Sequence, residues 1–323
     1  MKHVFSIFLL AMLTIAASGQ SARRDSLLNM GRSLRDARMF AEAIFSFTEA
    51  GGDAGRIEIA QTRFETGEFS KALEICNGLI DNESIFTDEA ELLVARIRDA
   101  QGLHRIANMK YRKLVKANNA KASYYYALMK HRTGNNNEAV KLLQHSITHN
   151  RANIDAHIVL SEIMINNGQR YLAILPIMYS LILSTDTETI REYQPQLEAL
   201  LSKSSIAVQQ LYTKSLPYVT NNIQRTESMI SYYIENTECP ANEPHIIHIL
   251  PQLLNYMQEH QTDNIDWWQI AYADFFSTLC QAGHQEALIH HLCSSLNPTV
   301  TRQWIESHEG QYAAFLTWLS FQH

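Results

Sequence analysis

The sequence predicts an all-α protein, a solenoid of stacked helical hairpins followed by a divergent helical half. Three observations lead there. Small residues recur in pairs twelve positions apart. Glycines stand between the members of most pairs. Val-rich alternating runs are scarce in a chain of 323 residues that is 46% hydrophobic and 19% charged, with only 12 Gly and 7 Pro. That composition is globular, and its patterning favours helices over strands. A net charge of −6 argues against a nucleic-acid binder, which carries a basic stripe over a basic domain.

The first element is a processing signal, expected over residues 1–19. Lys2 and His3 precede an apolar run from Val4 to Ala17, and the small residues Ala17, Ser18 and Gly19 follow. A positive start, a short apolar core and a small-residue exit describe a secretory signal peptide. The run is short for a membrane span, so no transmembrane span is expected once it is removed. No Cys stands near the cleavage zone, so a lipoprotein anchor is not expected. The style of the signal suggests a bacterial envelope protein, periplasmic or secreted. Cys76, Cys239, Cys280 and Cys293 show no CxxC pair. Buried thiols are expected rather than a disulfide scaffold, with a bridge through Cys239 left open.

Residues 20–184 carry the repeat. The anchors are Ala43, Ala72, Ala107, Ala139 and Ala173. Twelve residues earlier stand Gly31, Ala60, Ala95, Ala127 and Ser161, all small. With about a fifth of residues in an average protein being Gly, Ala or Ser, five hits by chance is on the order of one in a thousand. Just before these lie Met30, Ile59, Val94, Tyr126 and Leu160, all apolar. Four residues after each anchor stand Phe47, Cys76, Tyr111, Leu143 and Ile177, again apolar. Gly67, Gly102, Gly134 and Gly168 lie five before four of the anchors and mark the turn. The pattern reads as a helix A, a turn, and a helix B whose small residues allow close approach. One hairpin cannot bury both its faces, so several must stack.

The period, the small residue in helix A, the Gly turn and the opening of helix B resemble the tetratricopeptide repeat (TPR). "ARMFAEAIFSF" and "GEFSKALEIC" are similar to its signature, with Phe40 and Phe69 standing for the aromatic. Later copies depart, with His104, Asn136 and Arg170 at that position, and the helix A tryptophan and final proline are missing. The resemblance implies five repeats in a right-handed α-solenoid whose A helices line a groove for a protein or peptide. The expected groove residues are Arg32, Arg35, Gln61, Leu92, Arg96, Tyr124, His131, Arg132, Glu162 and Asn166. Arg96 and Arg132 would suit a partner with acidic or terminal carboxylate groups. Leu92, Tyr124 and Ile158 stand where the family's chaperone-tail clamp needs polar groups, which excludes that partner.

Residues 185–323 read as a divergent helical region. Helices are expected from Thr185 with Pro195 as a kink, near 221–235, and near 245–260 after the loop 236–244. A hairpin follows. Asp266 and Gln269 fit a capping box with Ile265 and Ile270 as a staple, Ala282-Gly283 is the turn, and Pro298 closes the second helix. A helical pair over 299–321, with Trp304 and Trp318 in its core, is expected to cap the array.

The chain has no P-loop, GxGxxG, HExxH, GxSxG or zinc-spaced Cys pair. No cofactor, metal or enzymatic activity is therefore expected. Paired histidines, His145 with His149, His245 with His248 and His284 with His291, lack the three or four converging ligands of a metal site. Glu306-Ser307 resembles the Glu-Ser pair of lytic transglycosylases, but the 16 residues that follow are too few for their catalytic domain. The expected function is an exported scaffold in a cell-envelope assembly. An envelope enzyme using Glu306 and His308, or a small-ligand or metal-binding solenoid, is the alternative.

Overall fold

A computed structural model describes residues 20–203, 221–260 and 266–322. The expected signal peptide and Ile265 lie outside them. The described residues form helices and no strand, and the helices pack consecutively in adjacent pairs. None of these helices is long and apolar enough to cross a membrane. The chain divides into two compact units, one ending at Ala122 and the other beginning at Ser123. This division precedes the expected change of register at 184/185.

The first unit holds α1 (residues 20–36), α2 (Phe40–Ala50), α3 (Gly52–Glu65), α4 (Phe69–Asp81), α5 (Thr87–Ala100) and α6 (His104–Lys116). Its small repeat residues are the points where helices meet. Gly31 is buried, and Ala43, Ala60, Ala72, Ala95 and Ala107 are fully so. A Cβ added at Gly31 would overlap the Phe47 ring, so glycine lets α1 lie directly on α2. Ser46 closes the same contact by donating to the Leu27 carbonyl at 2.8 Å. Ala60, Ala72, Cys76, Leu79, Leu93 and Ile97 form one core shared by α3, α4 and α5. Such sharing is what makes neighbouring hairpins stabilise one another. Met30 departs from the expected apolar pattern, being 50% exposed on the outer side of α1.

The turns explain why glycine recurs. Gly67 and Gly102 have φ of 76° and 74°. Beyond each, the next amide donates back to a carbonyl five residues earlier, Glu68 to Arg63 and Leu103 to Arg98. This is a Schellman closure, which needs one left-handed residue. The first hairpin has the same closure, Met39 to Leu34, but Arg38 supplies the left-handed residue at φ 60°. The turn is thus conserved in geometry across the copies where the glycine is not.

The second unit begins within α7 (Ala120–Arg132), which the contact boundary divides. It continues with α8 (Asn136–His149), α9 (Ile154–Asn166), α10 (Arg170–Leu183), α11 (Thr187–Leu200), α12 (Asn221–Asn236) and α13 (His245–Glu259). A π-helical turn, Gln269–Ala273, leads into α14 (Asp274–Gln281), followed by α15 (Gln285–Leu292), α16 (Pro298–Ser307) and α17 (Glu309–Ser320). Ala127, Ala139, Ser161 and Ala173 are again fully buried. Ser161 satisfies its hydroxyl locally, on the Ile158 carbonyl at 2.7 Å. Gly134, Gly168 and Gly283 repeat the left-handed turn.

Here α10 is central. It touches α9, α11, α12, α15 and the π-helical turn, and every residue from Arg170 to Ile182 is buried. Its sequence, RYLAILPIMYSLIL, is apolar on all sides, as a helix enclosed by others must be. Pro176 lies inside it, as Pro195 lies inside α11 and Pro251 inside α13. The terminal helices form where expected, with local departures, among them Trp318, which is half-buried. Pro298 opens α16 behind the Asn297 cap instead of closing α15, which ends at Leu292, because proline's missing N–H is tolerated in a first turn. The Asp266 carboxylate accepts from the Gln269 amide at 2.9 Å, but the Gln269 side chain turns to Asp274, so only half the capping box forms. Ile270 is 59% exposed. Trp304 is buried, donating to Glu286 at 3.2 Å.

The turn geometry predicts opposite outcomes at two equivalent positions. Gly67→Ala should lower stability by about 1 kcal/mol, because a Cβ is placed in the left-handed region. Arg38→Gly should be neutral or stabilising by up to about 1 kcal/mol. Urea unfolding of both variants checks this, and equal losses from the two would contradict it.

Candidate partner-binding face and its buried supports

The predicted groove residues of the first unit lie on α1, α3 and α5, and the structure links them side by side. Arg32 Nε donates to Glu58 Oε1 at 2.6 Å, and Arg35 Nη1 donates to Glu58 Oε2 at 2.7 Å. One carboxylate of α3 thus holds both arginines of α1. Gln61 Nε2 donates to Glu65 at 3.0 Å, and its Oε1 accepts from Arg96 Nη1 of α5 at 3.0 Å. The Arg96 guanidinium also lies over the Phe64 ring, 4.6 Å from its centre. Leu92 is buried beneath this row and offers little surface. The partners Glu58 and Glu65 were missed by sequence reasoning, which marked the cations but not the acids one helix away.

In the second unit, Tyr124, His131 and Arg132 sit on α7, and Glu162 and Asn166 on α9. Tyr124 is half-buried, edge-on to Tyr125 at 5.1 Å. His131 Nδ1 meets Asn136 Oδ1 at 2.8 Å, which ties the side chain to the following turn. Glu162 accepts from the Tyr193 hydroxyl at 3.2 Å. Arg132 and Asn166 are exposed.

Two buried polar clusters support this unit. In the first, His157 is fully buried on α9. Its Nε2 lies 2.9 Å from the Arg151 carbonyl, which can only accept, so Nε2 carries the proton. Nδ1 is then a lone pair, and the Tyr272 hydroxyl donates to it at 2.6 Å. Arg151 donates to the Tyr179 hydroxyl at 2.6 Å and to the Ala271 carbonyl at 2.5 Å, within the π-helical turn. The neutral tautomer is enforced by surroundings, and burial lowers the His157 pKa from 6.5 to about 4.

The second cluster joins α12 to the start of α10. Glu227 accepts from the Tyr171 amide at 2.6 Å, and its other oxygen lies 3.7 Å from Arg170 Nε. The carboxyl therefore caps a helix whose own N-cap residue, Gln169, makes no side-chain cap. Burial outweighs the amide and the arginine and raises the Glu227 pKa from 4.5 to about 7. Glu198 of α11 does the same service for α13, accepting from the His245 amide at 2.7 Å and the Ile246 amide at 3.1 Å.

The remaining candidates have local partners. His291 meets the Tyr312 hydroxyl at 2.9 Å, and His284 packs against Phe315 and Trp318. His145 meets Ser123 at 2.8 Å and stacks on His149, and His248 meets Glu243 at 2.8 Å. Ser307 is hydrogen-bonded to His308 at 2.9 Å, and Glu306 is exposed. Among the described residues, no three His, Cys, Asp or Glu side chains are grouped to hold a metal ion, and the four cysteines are free thiols. No protein-family model matches the chain, and no curated protein matches it.

Two of the buried titrating groups predict opposed pH dependences. The unfolded chain protonates His157 below about 6.5, whereas the fold resists until about 4, so its contribution is full above 6.5 and lost as pH falls toward 4. Folded Glu227 keeps its proton up to about 7, whereas the unfolded chain releases it near 4.5. Its contribution is full below 4.5 and lost as pH rises through 7. Each shift corresponds to about 3 kcal/mol. Glu227→Gln keeps an acceptor for Tyr171 and should leave stability rising from pH 4.5 to 6.5. His157→Gln should lose part of that rise over the same range, so the two profiles diverge. Urea midpoints across pH test this, and parallel profiles for the two variants would contradict it.

Proposed function

We propose that the chain is an exported, TPR-like interaction scaffold that holds a protein or peptide partner on its A helices within a cell-envelope assembly. The observation that carries this reading is the lateral linkage of α1, α3 and α5. Glu58 joins the first two and the Gln61–Arg96 bond joins the second two, so side chains from three helices form one face. A face assembled from several rigid helices suits an extended or helical ligand, which needs anchors at intervals along its length. Arg96 in the first unit, which already donates to Gln61, and Arg132, exposed in the second, are the cations assigned to a partner carboxylate, a group that guanidinium binds bidentately. The clusters around His157 and Glu227, both buried, fit support better than turnover. The resemblance to the repeat family and the signal-like N-terminus point to the same class of function; the partner's identity lies beyond both.

In-cell photo-crosslinking tests the proposal separately in each unit. A photoreactive residue at Gln61 should capture one identifiable protein, and Arg96→Glu should abolish the adduct. A probe at Tyr124 should behave likewise, with Arg132→Glu as its control. Absence of adducts at both positions, or adducts indifferent to the charge reversals, would overturn the reading.

A further inference from the structure

Eight of the chain's 27 Lys and Arg fall between Asp99 and Glu138, a stretch with no carboxylate, although the net charge is −6. Much of that stretch is α6, whose Ala107, Tyr111 and Leu114 are buried. At about 3.6 residues per turn, Arg105, Met109, Arg112 and Lys116 form a single row, about half a turn away from the buried face. All four are exposed, and Met109 keeps 60% of its surface. Among the described residues, Arg105, Arg112 and Lys116 have no ion-pair partner, whereas Lys113 at the margin is held by Glu91 at 2.7 Å. The row is therefore a cationic ridge with an apolar side chain at its centre, and no acid among the described residues pairs with it.

We propose that this ridge of α6 docks the protein on an anionic phospholipid surface. Charge alone would also attract nucleic acid or an acidic polypeptide. Single-stranded nucleic acid is held by cationic grooves with aromatic stacking platforms, and the aromatic of α6, Tyr111, is buried on the opposite side. A folded acidic partner is fixed in register by charges of both signs, and this row carries one sign only. A bilayer surface needs no register. It favours a straight cationic row of about 16 Å whose apolar member enters below the phosphates while the long cationic side chains reach them. Leu103, exposed just before α6, extends the apolar contact. Attraction to anionic headgroups adds with each cation and fades with salt.

The test is flotation of the full chain with vesicles of phosphatidylcholine alone or mixed with phosphatidylglycerol. Neutral vesicles supply the baseline for any insertion by the apolar N-terminal run, so the difference between the two reports the ridge. The expected result is at least about tenfold stronger binding to the anionic vesicles, reduced by salt. The combined variant Arg105→Gln, Arg112→Gln, Lys116→Gln should lose that difference while unfolding at the same temperature as the parent. Met109→Ser should weaken the binding that survives high salt. Equal binding to both vesicles, or an anionic preference unchanged in the triple variant, overturns the proposal. So does tighter binding of RNA or polyglutamate, or self-association, that the triple variant abolishes, since each would assign the ridge to another partner.

Discussion

Everything in the repeat region depends on how closely paired helices can approach. At ten matched positions the chain places Gly, Ala or Ser, and all ten are buried. A larger residue there would push the two axes apart and open voids along the whole contact, because protein interiors tolerate little change in volume. The larger neighbours Phe47, Cys76, Tyr111, Leu143 and Ile177 then fill the space beside each contact. The lateral face of α1, α3 and α5 follows from the same constraint. Only when each hairpin is tight do Glu58 and Gln61 reach the helices on either side.

The second unit answers a different problem. Helix α10 is apolar all round, so it must be wrapped and not merely stacked. Wrapping leaves the amides at its start inside the protein, where water cannot satisfy them. Glu227 supplies the missing acceptor from another helix, as Glu198 does for α13. The His157–Tyr272 and Arg151–Tyr179 pairs show the same economy, with buried polar atoms matched across elements distant in sequence. These contacts bring α9, α10 and the π-helical turn together and make this unit more than a further run of repeats.

The parts legible in the sequence were those with a local period. Ala72 and its equivalents and Gly67 and its equivalents recur at fixed offsets, and the Ala282-Gly283 pair marks the terminal turn locally, so their roles can be inferred without a fold. Arg38 was hidden because the turn's geometry persists where its usual residue does not. Pro298 was assigned to the end of one helix when it begins the next, since proline fits either side of that boundary. The candidate face was half legible. Helix phase located Arg32, Arg35, Gln61 and Arg96, but Glu58 as the anchor of both α1 arginines depends on which helices touch. The capping carboxylates and the π-helical turn had no local signal at all, because their partners lie dozens of residues away.

The central claim, that small residues at helix contacts set the architecture, is tested most directly by one pair of substitutions in α2. Ala43 is buried at the contact with α1, while Ala41, two residues earlier, faces solvent. The equilibrium stability of Ala43→Leu and Ala41→Leu should be measured by urea unfolding. The account predicts a loss of about 1–3 kcal/mol at Ala43 and a change within about 0.5 kcal/mol at Ala41. Equal effects at the two positions would contradict it.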